Sequence, residues 1–208
     1  MVKIVAVNIE NNREIAPLCV VESDIIAINF HKEIVFSKFY EIPQTIKNAR
    51  TLSFETGKVV TICARVRIDD ENFYSVAVFD GGYFMGIADA ITESDFSQGK
   101  SIKIFSTRVG KFGVSVGKDF LCPQSSNCFS GGANFILHQT LDSFSGLYIK
   151  AVKGHGAFGN GFVSVFSDAV VKNDTRTEIV SQGVPFSFAV NDTPARPPLG
   201  FLKLGRLE

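Results

Sequence analysis

The 208-residue chain has no tryptophan, only two methionines, only three histidines, and no Cys-x-x-Cys pair among its four cysteines. A structural zinc site needs tightly spaced thiolates and imidazoles, and His31, His138 and His155 are far apart in the sequence. They read as satisfied or exposed side chains. Cys19, Cys63, Cys122 and Cys128 stand singly, three of them in or beside apolar segments. Such cysteines read as reduced thiols acting as small hydrophobes. No metal or other cofactor is expected. Net charge is absent too: Lys plus Arg and Asp plus Glu number 21 each, with no dense basic stripe. That excludes nucleic-acid binding driven by charge. No run approaches the ~18 apolar residues of a membrane span, so no membrane partner is expected. The opening MVKIVAVNIENN has neither a signal-peptide core nor a cleavage site, which leads to the expectation of a soluble, cytoplasmic protein. Neither a G-x-S-x-G elbow nor a P-loop occurs.

What the chain does have is phenylalanine, 20 residues of it. Phe carries no polar tip, so these rings belong in core layers. Buried strands are expected at Val2–Val7 and Ser23–Phe30, where nearly every residue is apolar. Glu10–Val21 reads as a weak helix interrupted by Pro17. Ile42–Thr56 reads as a helix with Ile42, Ile46, Ala49 and Leu52 on one face, Phe54 off it, and Gly57 as its stop. Lys58–Ile68 and Asn72–Phe79 form a hairpin across Asp69-Asp70-Glu71, and Tyr83–Ile87 returns after Asp80-Gly81-Gly82. Lys103–Ser106 and Phe112–Val116 make a second hairpin, followed by strands at Asn134–Leu137 and Phe162–Phe166. Pro194, Pro197 and Pro198 suggest an irregular tail. Buried strands alternating with helices indicate α/β, and the hairpins indicate mixed sheets. With no repeat or linker, residues 1–206 read as one domain, and Leu207-Glu208 as a cloning scar.

The stretch Asn72–Gln124 resembles the nitrilase, or carbon–nitrogen hydrolase, superfamily. NFYSVAVFDGGYFMGIADAI precedes GKFGVSVGKDFLCPQ, which is similar to the family's GKIGVAICYD hairpin and the F-P-E that follows it. SDIIAIN at Ser23–Asn29 is similar to its ADLIVFP strand, and GANFIL at Gly132–Leu137 to GADLIV. The order of these motifs, over most of residues 1–170, carries the resemblance. It implies an αββα sandwich of two mixed sheets flanked by helices, without an extra C-terminal strand arm. It also implies a homo-oligomer pairing through a helix face, for which a Phe-rich surface is suited.

The family's chemistry uses a Cys nucleophile, a Glu base and a Lys that stabilises the tetrahedral intermediate. The matching positions here are Gly117, Phe30 and Ala90, none of which can do that work. Asp119 matches the Asp two residues after the nucleophile. The resemblance therefore implies a pseudoenzyme with no catalytic residues, binding a small-molecule ligand or a partner. Lys118, Asp119, Cys122, His138 and Asn160 are the pocket candidates. The alternative is a divergent amidase or nitrilase with relocated groups, for which Glu33 and Cys122 are the nearest replacements. Cys122 lies ~16 Å along extended chain from Gly117, too far to take over its role. GHGAFGNG at Gly154–Gly161 contains a literal GxGxxG, but FVSVFS after it is strand-like, against a dinucleotide site. The same segment matches the family's R-A-x-E-N-G helix end at Asn160, with Gly156 and Gly159 replacing Arg and Glu.

Overall fold

The computed structural model describes residues 2–36, 41–122, 131–157, 161–172, 175–178 and 186–190. Strands β1 (Val2–Ile9), β2 (Ile25–Phe30), β3 (Ile34–Phe36), β4 (Val59–Ile68), β5 (Glu71–Asp80), β6 (Tyr83–Asp89) and β13 (Phe186–Val190) form one sheet. Its order is β13-β1-β2-β4-β5-β6, with β3 pairing β4 beyond the end of β2. The second sheet has the order β12-β11-β10-β9-β8-β7. It comprises β7 (Lys103–Thr107), β8 (Gly110–Val116), β9 (Phe135–Gln139), β10 (Phe162–Val165), β11 (Ala169–Lys172) and β12 (Thr175–Glu178). Each sheet has parallel strands at its centre and antiparallel hairpins outside them. The expected α/β sandwich of two mixed sheets is therefore the architecture.

Period-two alternation sets the layers. On β1, Val2, Ile4 and Ala6 enter a core between the sheets, while Val5, Val7 and Ile9 face outward. Facing the inner set from the second sheet are Phe112, Val114, Val116, Phe135, Leu137, Val163 and Val165. The outer face of the first sheet is covered by helix α1 (Gln44–Thr56) and by a short 3₁₀ segment through Leu18. Helix α2 (Gly146–Ala157) covers the second sheet with Tyr148 and Val152. Amides stitch the sheets together: Asn8 Nδ2 donates to the Ser167 carbonyl (2.7 Å), and Asn29 Nδ2 to the Thr140 carbonyl (2.8 Å).

Helix α1 buries Ala49 and Leu52 and leaves Phe54 outside, as its spacing requires. Ile42 lies ahead of the helix, because Pro43 takes the N-cap position. Gly57 ends α1 in the left-handed region, at φ 67°. The helix expected at Glu10–Val21 is instead two 3₁₀ turns, Asn12–Glu14 and Ala16–Val20. Asn11 and Glu14 close a capping box on the first turn, and Pro17 stands at the start of the second. Among the described residues, no helix is long and apolar enough to cross a membrane. Residues 191–208, which include the proline-rich tail and the Leu207-Glu208 pair, lie outside the described residues.

Candidate functional site

The strand ends place the site. Strand β8 runs parallel to β9 with Val116 opposite Gln139, and leaves the sheet directly into a 3₁₀ turn, Gly117–Leu121. Gly117 adopts φ 54°, a conformation costly for any residue with a Cβ. Its carbonyl is 2.8 Å from His138 Nε2, and since a carbonyl only accepts, Nε2 carries the proton. A Cβ at Gly117 would lie 2.6 Å from Glu93 Oε1 and 2.7 Å from Tyr74 Cε1. Position 117 is thus both conformationally reserved for glycine and closed off by neighbouring side chains.

Two carboxylates lock this turn to the segment following β6. Asp119 Oδ1 accepts from the backbone N–H of Ile91 (2.9 Å) and Thr92 (2.8 Å) and from Thr92 Oγ1 (2.8 Å). In the other direction, Glu93 Oε1 accepts from the Lys118 N–H, while Oε2 pairs with Lys118 Nζ, both at 3.0 Å. Burial raises the Asp119 pKa, and its hydrogen bonds pull the other way. Lys118 is pushed up, first by its hydrogen bond to Glu93 and then by that carboxylate's charge. Its ammonium is half exposed, so the ion pair is worth about 0.2–1 kcal/mol. The backbone bonds of the lock carry more, because both carboxylates are largely buried.

Tyr74 on β5 sits at the centre. Its hydroxyl donates to Thr140 Oγ1 at 3.2 Å and accepts from the Leu141 N–H. Phe96 stacks near its ring, with centroids 5.7 Å apart, and Leu141 packs against the same inter-sheet core. The Cys63 thiol is fully buried in the same inter-sheet core; burial pushes both groups well above their ordinary pKa values. Nearby, Tyr148 donates to Asp142 Oδ2 at 2.9 Å. Burial and the Asp142 charge keep that phenol protonated.

The structure brings together Ala90, Gly117, Lys118, Asp119 and His138. Ala90 donates its N–H to the Tyr74 carbonyl at 2.8 Å and lies in the inter-sheet core. His138 lies on the outer face of the second sheet, stacked on Phe120 with centroids 4.6 Å apart. Phe30 is elsewhere. It continues the Ile26 and Ile28 row, so it faces the outer core of the first sheet. Asn29 takes the inward position, level with Cys63 on β4. Cys122 ends the 3₁₀ turn, and burial and the Asp119 charge raise its pKa, which suppresses thiolate. Glu33 pairs with Arg67 at the sheet surface, 3.3 Å apart, away from the site. Asn160 and Gly159 lie outside the described residues. Gly154 and Gly156 lie inside α2, and β10 begins at Phe162. Among the described residues, no group of three or more His, Cys, Asp or Glu could hold a metal ion. Tyr74 and Glu93 were not singled out from the sequence. The only signal for Glu93 is an acidic residue three positions after Ala90.

No protein-family model matches the chain, and no curated protein matches it in sequence. Solved structures do. The chain is similar to Saccharomyces cerevisiae Nit3, a member of branch 10 of the nitrilase superfamily, with a TM-score of 0.66 at 11% identity, covering 89% of this chain and 88% of that one. A carbon–nitrogen hydrolase from Helicobacter pylori G27 gives a TM-score of 0.65 at 13% identity, with the same coverages. A variant of the amidase from Nesterenkonia sp. AN1, carrying the product of Michael addition of acrylamide at its active site cysteine, gives 0.66 at 10% identity. That comparison spans 99% of this chain and 100% of the amidase. The fold is that of the nitrilase superfamily.

Proposed function

We propose that this chain is a catalytically silent protein on the carbon–nitrogen hydrolase fold and acts by binding a partner. One observation carries the reading: the space for a side chain at Gly117 is occupied by Tyr74 and Glu93. The amidase from Nesterenkonia sp. AN1 has an active site cysteine. Here the matching position has no side chain, and glycine offers neither nucleophile nor leaving proton. The buried thiol closest to the site, Cys63, is held protonated by its surroundings. Tyr74, with Phe96 and Leu141, packs in the inter-sheet core beside Gly117. Glu93 is bonded to the Lys118 backbone and ammonium, and Asp119 to the Ile91 and Thr92 backbone and the Thr92 hydroxyl, which supports a role as structural ties.

The test is ammonia release from a panel of amides and nitriles, run beside peptide mapping of thiol labelling. No release above buffer is expected, with exposed Cys19 labelled rapidly and Cys63 only on unfolding. Ammonia release abolished by Cys63→Ser or Cys122→Ser would refute the proposal and make the chain a divergent hydrolase.

A further inference from the structure

Where the chain crosses from the first sheet to the second, it leaves a cavity of about 260 Å³ lined by Asp89, Gln98, Gly99, Lys100, Ser101 and Lys103. Asp89 ends β6, Lys103 opens β7, and the other four belong to the segment between them. That segment is pinned to the first sheet. Ser97 donates its N–H to the Asn72 carbonyl at 2.7 Å, and Gly99 donates to the Ala90 carbonyl at 2.8 Å. A Cβ at Gly99 would lie 2.5 Å from the Asp89 carbonyl oxygen, so only glycine lets the two walls approach this closely.

The walls carry opposite charge. Asp89 Oδ1 accepts from Ser75 Oγ at 2.7 Å, which fixes the carboxylate, while Oδ2 takes no hydrogen bond among the described residues. On the other wall, Lys103 Nζ donates to the Ile87 carbonyl, which uses one of its three protons. The side chains of Gln98, Lys100 and Ser101 have no hydrogen-bond partner among the described residues. The cavity thus offers two ammonium groups and one carboxylate with donor and acceptor capacity left over.

We propose that this cavity binds a free α-amino acid as its zwitterion, with the ligand's ammonium on Asp89 and its carboxylate on Lys100 and Lys103. Charge decides the ligand class. A simple anion would meet the Asp89 carboxylate, and a simple amine would meet two ammonium groups, whereas a zwitterion matches both signs. Its two charged groups sit on one carbon, a spacing that suits a small cavity with an acidic and a basic wall. Size agrees: the volume lies below the ~300–1,000 Å³ of sites that take drug-sized ligands, and leaves room for a short side chain beside Gln98 and Ser101. Because the lysines are exposed, solvent screens these pairs, and the dissociation constant is on the order of millimolar. None of the six lining residues belongs to the Gly117 turn, so the inference holds whether or not that turn is catalytically silent.

Amide NMR spectra of the isotope-labelled full chain, titrated with L-serine, test it. Saturable shifts are expected at Gly99, Lys100 and Ser101, with none at Gly117 or Lys118. N-acetyl-L-serine, which lacks the ammonium, and L-serine methyl ester, which lacks the carboxylate, should each bind about tenfold more weakly. Asp89→Asn keeps an acceptor for Ser75 Oγ and so preserves the fold, yet raises the L-serine dissociation constant on the order of tenfold. Lys100→Met, at an exposed position, does the same. Absence of any saturable shift overturns the proposal. Shifts centred on Gly117 and Lys118 also overturn it, and move the ligand to that turn. Inorganic phosphate bound as tightly as L-serine, and more tightly still by Asp89→Asn, overturns it in favour of a simple anion site.

Discussion

The ring of Tyr74 and a side chain at position 117 exclude one another: a Cβ on Gly117 would sit 2.7 Å from Tyr74 Cε1. Gly117→Cys, which puts a thiol at this turn, therefore meets a backbone penalty of about 1–2 kcal/mol at φ 54°. Overpacking against Tyr74 and Glu93 adds about 1–3 kcal/mol. Urea unfolding should show a loss of both contributions. In a Tyr74→Ala background the packing part should shrink to the Glu93 contact, with the backbone part unchanged. A Gly117→Cys chain as stable as the parent would show that the site is looser than described.

Tyr74→Phe keeps the ring and removes only the hydroxyl. The Leu141 N–H then loses its partner, while Thr140 Oγ1 keeps the Asp142 N–H. The expected cost is about 1–3 kcal/mol. Amide hydrogen exchange at Leu141 should accelerate while exchange in α1 stays unchanged, since the lost bonds touch only the end of β9 and the segment after it. Uniform acceleration through the whole chain would instead indicate global destabilisation.

His31 supplies a pH dependence with a definite sign. Burial lowers its pKa from 6.5, with Arg65 acting in the same direction and Glu10 opposing it. Because the folded value is depressed, the unfolded chain binds the proton more readily. The contribution to stability is present above pH 6.5 and is lost as pH falls through the folded value. His31→Asn should therefore flatten the stability curve on the acid side of pH 6.5, measured by urea unfolding at a series of pH values. An unchanged acid limb would place the responsible proton on another group.

Much of the fold was legible because its signals are local. The β4–β5 hairpin, the return into β6, the β7–β8 hairpin and the buried runs of β1 and β2 announce themselves by alternation and turn residues. Gly57 marks the end of α1 through its own backbone freedom. Helix α2 was not legible: GLYIKAVKGHGA carries three glycines, and its helicity is held by Tyr148 and Val152 packing on the second sheet. Strand β3 is three residues long and exists through its pairing with β4.

The site divides along the same line. The amino-acid sequence by itself determined that Gly117 and Ala90 carry no catalytic group, since side-chain chemistry is a property of the residue alone. The resemblance grouped Lys118, Asp119, Cys122, His138 and Asn160 as pocket candidates. Only the tertiary structure decided which face each residue presents. Strand parity against two facing sheets turns Asn29 inward and Phe30 into the outer core, an outcome set by which layer covers each face. Long-range packing alone puts Tyr74 and Glu93 into the space beside Gly117, because that space is bounded by segments from both sheets, far apart along the chain.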